Sequence, residues 1–380
     1  MAQNRNLFRL TRFILLKLPY LFRLLAVFRT PRKRLLIIKA DAIGDYIMFR
    51  NYIEIIKHSA KFEGYELHLL GNEIWKDLAL QYDAKYISKF YFSKPNQIYY
   101  NPGVVFKLGW KLFTGNYEFV LNPNSTRNFI IDGLAGLTAA KHIIGFESDT
   151  EGMPLKYKVK TDKFYTQRLQ LPSSIQFEFY RSQYFVEQVL GTAVKLRQPV
   201  IETPPVIRQG IFVFPGAGLK KRGWEAEKFA ALIQLLCLHT TQTVYIAGGE
   251  NETEVNNSIA QQIGATNLVN LTGKTTMPQL IAAIASAALV IANDSSAVHI
   301  AAATGTPSVC IVGGGHFGRF VPYPDDMENR PLCVYYKMPC YYCNWECIYD
   351  TAPDEAFPCI GNISVEQVWQ AARLKYTFDI

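Results

Sequence analysis

The sequence predicts an α/β protein with two domains, each built on a parallel β-sheet. Short apolar runs of strand length alternate with longer segments of helical periodicity through most of the 380 residues. This alternation stops once and then starts again, as expected for two domains of ordinary size. The expected strands lie at 35–38, 66–70, 117–121, 141–145, 211–214, 243–247, 267–270, 288–292 and 308–312.

The segments between these strands carry apolar residues at helical spacing, which predicts helices that cover the sheets. One stretch, 86–102, is rich in Tyr, Phe and Lys, and we expect it to be irregular. The expected helices lie at 46–60, 74–81, 128–140, 176–191, 225–239, 252–263, 278–287, 296–304 and 364–376.

A proline-rich stretch separates the two halves. Pro199, Pro204 and Pro205 lie in a segment without strand or helix pattern, so we expect a linker over 199–209. Two α/β halves joined in this way predict a cleft between them, which is a usual place for a ligand. The expected domains are 35–198 and 210–362, followed by a terminal helical segment at 363–380.

The net charge of +8 is concentrated in the first 40 residues. They hold ten basic residues and no acidic one, whereas the other 340 residues hold 30 basic and 32 acidic ones. A nucleic-acid-binding domain normally has a basic face of its own, so this distribution argues against nucleic acid as the partner.

Residues 1–34 therefore form a basic, amphipathic N-terminal arm. Lys17, Pro19 and Arg23 interrupt its apolar run, which makes a membrane-spanning helix unfavourable, and no small-residue cleavage site follows. One interpretation is a helix lying on an anionic membrane surface, with a basic side that includes Arg5 and Arg12 toward the headgroups. The alternative is an ordinary helix packed on the protein body. We expect a cytoplasmic protein at the inner membrane.

Three loops of the second half follow expected strands, at the sheet edge where open α/β sheets bind ligands. The first, 214–224, holds Gly216 for close backbone approach and the cations Lys221 and Arg222. The second contains Glu250, whose carboxylate suits a ribose diol, although an exposed helix-start glutamate is equally consistent. The third, Asn293-Asp-Ser-Ser296, opens a helix whose free amides favour a phosphate. Together they predict a site for a nucleotide diphosphate.

In the first half, the turn after the first strand ends in Gly44-Asp45. An aspartate at a helix start most often caps the helix. The functional alternative is a carboxylate that faces the cleft and acts as a general base.

These motifs, in this order, resemble glycosyltransferase family 9, the ADP-heptose:lipopolysaccharide heptosyltransferases and their relatives. The resemblance implies a GT-B fold, with two Rossmann-like domains facing a central cleft and an acceptor-side N-terminal domain. It also implies a terminal helix, 363–380, that crosses back to that domain. The matching residues are Leu36-Ile-Ile-Lys-Ala-Asp-Ala-Ile-Gly-Asp45, Phe214-Pro-Gly-Ala-Gly218 with Trp224, Gly273-Lys274 and Asn293-Asp-Ser-Ser-Ala-Val-His-Ile-Ala-Ala-Ala-Thr-Gly-Thr-Pro307.

The resemblance also implies the reaction: an inverting, metal-independent transfer of a heptose-like sugar from a nucleotide diphosphate to a lipopolysaccharide or other envelope glycan. Asp45 would be the general base and Arg222 would bind the donor phosphates, with Lys221 as second choice. Glu250 would bind the ribose, and Thr275 would border the base. The turn that contacts the diphosphate and sugar would be Asp294, Ser295, Ser296 and His299.

Four cysteines, Cys340, Cys343, Cys347 and Cys359, lie in a cysteine-rich segment, 333–359. Four thiolates within 20 residues suit a structural zinc ion, and disulfides or free thiols are the alternatives. Two other functions compete with glycosyl transfer: a GT-B epimerase or hydrolase that acts on the nucleotide sugar alone, and a non-catalytic sugar-nucleotide-binding protein at the membrane.

Overall fold

The computed structural model describes residues 5–148 and 155–379, and the chain divides into two compact units, 1–196 and 197–380. Residues 1–4 of the predicted arm, 149–154 of the predicted N-terminal domain and Ile380 of the terminal segment lie outside the described residues. Each unit holds one six-stranded sheet whose neighbouring strands are parallel, so the predicted α/β class with two parallel sheets is confirmed.

The N-terminal sheet has the strand order β3-β2-β1-β4-β5-β6, with β1 near the middle. Residues 35–38 of β1 are fully buried, as expected for a parallel strand covered on both faces. In the register, Ile37 pairs with Leu69 on one side and Leu121 on the other. The strands are β1 (Arg32–Lys39), β2 (Glu66–Asn72), β3 (Lys89–Ser93), β4 (Tyr117–Asn122), β5 (His142–Phe146) and β6 (Gln167–Leu169).

The prediction of an irregular stretch over 86–102 is wrong. It contains the strand β3 and a short helix, because the side chains of Phe90 and Phe92 stack on each other along one strand face and Tyr91 points into the core. The helices of this unit are α1 (Arg5–Ala26), α2 (Ile43–Phe49), α3 (Asn51–Lys57), α4 (Lys76–Tyr82), α5 (Pro95–Tyr100), α6 (Pro102–Thr114), α7 (Phe129–Leu137), α8 (Leu155–Asp162) and α9 (Glu178–Leu190).

The C-terminal sheet has the order β12-β11-β10-β7-β8-β9, and β10, β7 and β8 are consecutive neighbours. The register pairs Ile291 of β10 with Val213 of β7, and both side chains are fully buried. The strands are β7 (Ile211–Phe214), β8 (Val244–Ile246), β9 (Leu268–Asn270), β10 (Leu289–Asn293), β11 (Ser308–Val312) and β12 (Leu332–Tyr335).

The last helix of the chain contributes to the core of the C-terminal unit. Val368, Trp369 and Ala372 belong to the cluster of buried residues under this sheet. The buried face of this helix thus packs within the C-terminal unit, and the crossing of 363–380 to the N-terminal domain stays a prediction. The helices of this unit are α10 (Ala226–His239), α11 (Thr253–Ile263), α12 (Met277–Ser286), α13 (Ser296–Ala303), α14 (Pro358–Gly361) and α15 (Val365–Lys375).

Helix α1 packs on the N-terminal unit against α5, α6 and α7. Its inner face buries Leu15 and Phe22 in the core of that unit. Gly133 of α7 permits this close approach, because a Cβ atom there would lie 2.7 Å from the Leu15 side chain. The inner face of α1 therefore agrees with the second interpretation of the arm, an ordinary helix packed on the protein body.

The outer face of α1 exposes large apolar residues as well as basic ones such as Arg9. Phe13 is 58% exposed and Leu24 is 67% exposed, and Phe28 follows the helix with 90% exposure. Arg23, which interrupts the apolar run of the arm, donates hydrogen bonds to the carbonyls of Lys163 and Phe164 at 2.9 and 2.6 Å. Among the described residues, no helix has the length and apolar character needed to cross a bilayer.

Candidate functional site

The three loops singled out in the C-terminal half extend from neighbouring strands. Residues 215–224 follow β7, residues 247–250 follow β8, and Asp294 and Ser295 follow β10. Because β10, β7 and β8 are adjacent and parallel, their carboxyl ends open onto one edge of the sheet. The structure therefore brings the predicted donor-binding loops together, within one unit.

The side chain of Asn293 joins two of these loops. Its Oδ1 accepts a hydrogen bond from the backbone N–H of Trp224 at 3.0 Å, and its Nδ2 donates to the carbonyl of Pro215 at 2.8 Å. Asn293 is fully buried, so each of these bonds also satisfies a polar group that would otherwise be costly to bury. The amide fixes both ends of the loop after β7.

Asp294 and His299 lie side by side at the start of α13. The Nε2 atom of His299 is 3.9 Å from Oδ1 of Asp294, and its Nδ1 atom is 3.0 Å from the hydroxyl of Tyr323. Burial lowers the pKa of His299 to about 4, so the imidazole is neutral at pH 7. Burial also raises the pKa of Asp294 to about 6, against the opposing charge of Arg222. The neutral imidazole of His299 can therefore donate a hydrogen bond without adding a positive charge.

Ser295 and Ser296 begin α13. Ser295 is the residue before the first helical turn, and its side chain makes no capping bond. The first amides of a helix have no partner within the helix, so this turn can accept an anion. Both serines are half-buried at the same sheet edge as Asp294.

The structure separates the roles of the three cations after β7. Lys220 pairs with Asp354 at 2.9 Å, and Lys221 donates to the side chain of Thr351 at 2.9 Å. Arg222 lies over the ring of Trp345, and its Nε–H has no hydrogen-bond partner among the described residues. Arg222, rather than Lys221, is therefore the cation available for an anionic ligand.

The carboxylate nearest the glycine loops belongs to Glu252, not to Glu250. Glu250 is exposed, whereas Glu252 lies between the two loops, where a Cβ atom at Gly216 or Gly248 would collide with its carboxylate. Glu252 accepts a hydrogen bond from the backbone N–H of Gly249 at 2.9 Å. Glu252 was not predictable from the strand-end pattern, because it lies in a helical turn beyond the end of β8.

Thr275 lies in the loop after β9, half-buried. That loop is joined to the loop after β8 by a hydrogen bond from the N–H of Gly273 to the carbonyl of Gly248, at 3.0 Å. Gly273 has a φ of 71°, a conformation that favours glycine. The structure thus brings Thr275 to the same side of the sheet as the glycine loops.

In the N-terminal unit, Asp45 lies in the first turn of α2, whose capping residue is Ala42. Lys39, at the end of β1, is fully buried and pairs with Asp41 at 2.9 Å. Burial tends to lower the pKa of Lys39, but the carboxylates of Asp41, Asp45 and Glu178 outweigh it and raise that pKa. Asp45 is thus near a buried positive charge that the sequence analysis did not identify.

Other polar groups surround this part of the sheet edge. Ser125 donates to the carboxylate of Glu178 at 2.9 Å, and Asn124 donates to the carbonyl of Ile38 at 3.1 Å. Arg127, a cation in the loop after β4, is fully buried and pairs with Asp132 at 2.8 Å. The Asp132 carboxylate compensates the charge of Arg127 within the unit, so this charge does not lie at the surface.

The four cysteines influence one another electrostatically. Burial raises the pKa of Cys359, and the thiols of Cys340, Cys343 and Cys347 raise it further. The backbone N–H of Gly314 points at the sulfur of Cys359 at 3.4 Å. Within the described ranges, no three His, Cys, Asp or Glu side chains are arranged to hold a metal ion, so the zinc site stays a prediction.

Two α/β units with parallel six-stranded sheets, one of them with nucleotide-type loops at its carboxyl edge, define a protein of the GT-B class. The model of glycosyltransferase family 9 (heptosyltransferase) matches residues 105–346, which is more than half of the chain. The protein therefore belongs to this family of glycosyltransferases.

Individual relatives agree with this assignment. Lipooligosaccharide heptosyltransferase 2 of Campylobacter jejuni subsp. jejuni serotype O:2 is 28% identical over 203 residues, which cover 50% of this chain and 61% of the relative. The chain thus matches about three fifths of that protein's length.

Solved structures share the fold. Heptosyltransferase WaaC of E. coli with ADP-2-deoxy-2-fluoro heptose superposes with a TM-score of 0.64 at 14% identity, covering 90% of this chain and 100% of that one. The iron-containing dodecameric glycosyltransferase TibC of enterotoxigenic E. coli H10407 gives a TM-score of 0.50 at 14% identity, covering 91% and 76%. At these identities the likeness establishes the fold.

The raised pKa of Asp294 predicts a pH-dependent effect of Asp294→Asn on stability. The folded pKa is about 6. Since an unfolded aspartate has a pKa of about 3.9, ionising Asp294 costs folding free energy above pH 6 and costs nothing below about pH 4. We expect Asp294→Asn to stabilise the protein by up to about 3 kcal/mol at pH 7.5 and by almost nothing at pH 4.

Chemical unfolding of both proteins between pH 4 and pH 8 measures this difference. Asp350→Asn, at an exposed position of the same unit, is the control. A stability gain of equal size at both ends of the pH range would contradict the burial of a charged carboxylate at Asp294.

Proposed function

We propose that the protein is an inverting glycosyltransferase that moves a heptose-like sugar from a nucleotide diphosphate to a lipopolysaccharide or another envelope glycan. The observation that carries this proposal is the set of three neighbouring loops with Arg222, whose Nε–H has no hydrogen-bond partner among the described residues, in a chain of family 9. The names of the relatives support the sugar and the acceptor: WaaC was solved with an ADP-heptose analogue, and the Campylobacter relative is a lipooligosaccharide heptosyltransferase.

In the proposed reaction, the carboxylate of Asp45 takes the proton of the acceptor hydroxyl. The oxygen of that hydroxyl attacks the anomeric carbon from the side opposite the leaving group, so the configuration inverts. The bond from the anomeric carbon to the phosphate oxygen breaks, and its electron pair leaves with the nucleotide diphosphate. Arg222 and the first amides of α13 stabilise that negative charge, so the step proceeds without a metal ion.

A neutral His299 is compatible with this stabilisation of the leaving diphosphate. It can donate a hydrogen bond to a phosphate or sugar oxygen from its Nε2 atom while Tyr323 holds its Nδ1 atom, at 3.0 Å. Glu252 supplies a carboxylate between the glycine loops, and we propose that it binds the ribose diol in place of Glu250. Thr275, in the adjoining loop, borders the base.

Replacing the proposed base tests the reaction. We expect Asp45→Asn to lower kcat about a thousandfold, since general-base catalysis contributes factors of this order, with little change in ADP affinity. Product formation from an ADP-sugar and a lipopolysaccharide acceptor measures kcat, and calorimetry measures ADP binding. Asp77→Asn, in the first turn of α4, is the control. Full activity of Asp45→Asn would overturn the mechanism, and sugar release without acceptor would indicate a hydrolase or epimerase.

The two glutamates after β8 give a matched pair of variants. We expect Glu252→Gln to weaken ADP-sugar binding at least about tenfold, because hydrogen bonds to a charged group are worth more than neutral ones. Glu250→Gln should bind as the unaltered protein does, since Glu250 is exposed. Isothermal calorimetry with both variants decides between them, and the reverse order of affinities would restore Glu250 as the ribose ligand.

We also propose that α1 attaches the protein peripherally to the cytoplasmic face of the inner membrane. Its outer face exposes large apolar residues with arginines beside them, including Arg9 and Arg12. Soluble surfaces rarely expose such a stripe, whereas an anionic lipid surface matches both its apolar and its basic groups. This orientation puts the apolar residues into the membrane and keeps the inner face of α1 on the protein.

The double variant Phe13→Glu/Leu24→Glu tests this attachment. We expect its affinity for vesicles of phosphatidylglycerol and phosphatidylethanolamine to fall at least about tenfold, because it removes two apolar anchors and adds negative charge. Leu374→Glu, at a 79% exposed apolar position of α15, is the control. Sedimentation with vesicles gives the bound fraction, and unchanged binding of the double variant would exclude the outer face of α1 as the contact.

We further propose that the four cysteines bind a structural metal ion, zinc or iron. Their spacing and their mutual electrostatic influence support this, as does the iron content stated for the relative TibC. Elemental analysis of protein purified without chelators should give about one ion per chain, and Cys343→Ser/Cys347→Ser should lose it. A metal-free protein with four titratable thiols would contradict the site.

A further inference from the structure

The basic loop of the donor site is held by the cysteine-rich segment. The backbone N–H of Phe357 donates to the carbonyl of Lys221 at 2.9 Å, and the ammonium of Lys221 donates to the carbonyl of Thr351 at 3.0 Å. Lys220 pairs with Asp354 on the surface, at 2.9 Å. Lys221 also lies 5.7 Å from the ring centre of Phe357. Each cation of the loop thus has its own contact in residues 345–357.

The guanidinium of Arg222 lies on the face of Trp345, with its carbon 4.4 Å from the ring centre. This distance is well inside the range in which the π face of a tryptophan attracts a cation. The planar guanidinium can stack on such a ring and still present its N–H groups at the edge to an anion. The Nε atom of Arg222 is buried and has no hydrogen-bond partner in the described part of the chain.

The indole of Trp345 is itself fixed from several sides. It lies against the glycine backbone that follows β11, where a Cβ atom at Gly313 would lie 2.8 Å from the ring and one at Gly315 would collide with it. It stacks with the ring of Phe357 at 6.1 Å and an angle of 25°. The N–H of Asn344 donates to the carbonyl of Gly315 at 3.0 Å, which joins the neighbouring backbone to the same loop. A ring held this firmly can set the position of a flexible arginine.

We propose that Trp345 is a positioning residue of the donor site: its ring holds the Arg222 guanidinium where the donor diphosphate binds. The inference rests on the proposed function, because it takes Arg222 as the phosphate ligand. It adds a specific dependence: the affinity for a nucleotide diphosphate is set in part by an aromatic side chain of the cysteine-rich segment. In this role Trp345 acts through Arg222, the cation that its ring holds.

A double-mutant cycle on ADP affinity tests this dependence. We expect Trp345→Leu to weaken ADP binding about tenfold and Trp345→Phe to stay within about threefold of the unaltered protein, since phenylalanine keeps an aromatic face. In an Arg222→Gln background, Trp345→Leu should change the affinity by less than about twofold, because the residue it positions is gone. Tyr349→Leu, at an exposed aromatic position of the same segment, is the control.

An equal loss from Trp345→Leu in both backgrounds, or no loss in either, would overturn the proposal. If Trp345→Leu lowers the melting temperature, the measurement is repeated with Trp345→Met, which has a longer side chain. The kinetic counterpart is a higher KM for the donor with kcat unchanged, since Trp345 has no part in the chemical step.

A second measurement does not depend on nucleotide binding. The Nε–H resonance of Arg222, assigned by its disappearance in Arg222→Lys, should carry the ring-current shift of an indole and lose it in Trp345→Leu but not in Tyr349→Leu. An unaltered resonance in Trp345→Leu would overturn the positioning role. If ADP fails to bind the unaltered protein while the ring-current shift behaves as expected, the donor assignment is wrong and the contact between the two residues stands.

Discussion

The buried amide of Asn293 is the interaction on which the donor-binding edge of the C-terminal sheet depends. It reaches from the end of β10 to both ends of the loop after β7, with bonds of 3.0 and 2.8 Å to Trp224 and Pro215. Because the amide is inaccessible to water, losing either bond would leave a buried polar group unpaired. The position of Arg222, two residues before Trp224, therefore follows from a side chain on the neighbouring strand.

Hydrophobic periodicity predicted most of the strands and nearly all of the longer helices. Buried parallel strands such as 35–38 and 288–292 are continuous apolar runs, and these are the most readable pattern in an α/β chain. β3 was not predicted, because its composition of Phe, Tyr and Lys resembles that of a loop. It is the edge strand of the sheet, so one of its two sides has no neighbouring strand. The packing of the terminal helix under the C-terminal sheet was not predictable, since an amphipathic pattern shows that a face is buried but not against what.

The candidate residues of each unit could be named from the sequence where a motif coincides with a strand end, as for Asp45 in the first unit and for Asp294 and His299 in the second. Residues that lie outside such motifs and are brought close by the fold could not be predicted from the sequence. Glu252 reaches the glycine loops from within a helix turn, and the pKa of the buried Lys39 is raised by carboxylates from three separate parts of the chain. Which of two adjacent cations is available depends on Thr351 and Trp345, more than 120 residues away in the chain. Such choices are set by tertiary contacts and have no local sequence pattern.

The packing of α1 has a consequence for how the protein can be produced and how its sequence can change. Gly133 and Gly136 of α7 lie against Leu15 and Pro19 of the helix. A Cβ atom at Gly133 would lie 2.7 Å from Leu15 and displace the helix, and one at Gly136 would crowd Phe164 and lie 3.2 Å from Pro19. Truncating the first 34 residues would therefore expose the core of the N-terminal unit to solvent. A highly soluble version of the protein must keep the helix and change its outer face alone, and natural variation should follow the same division.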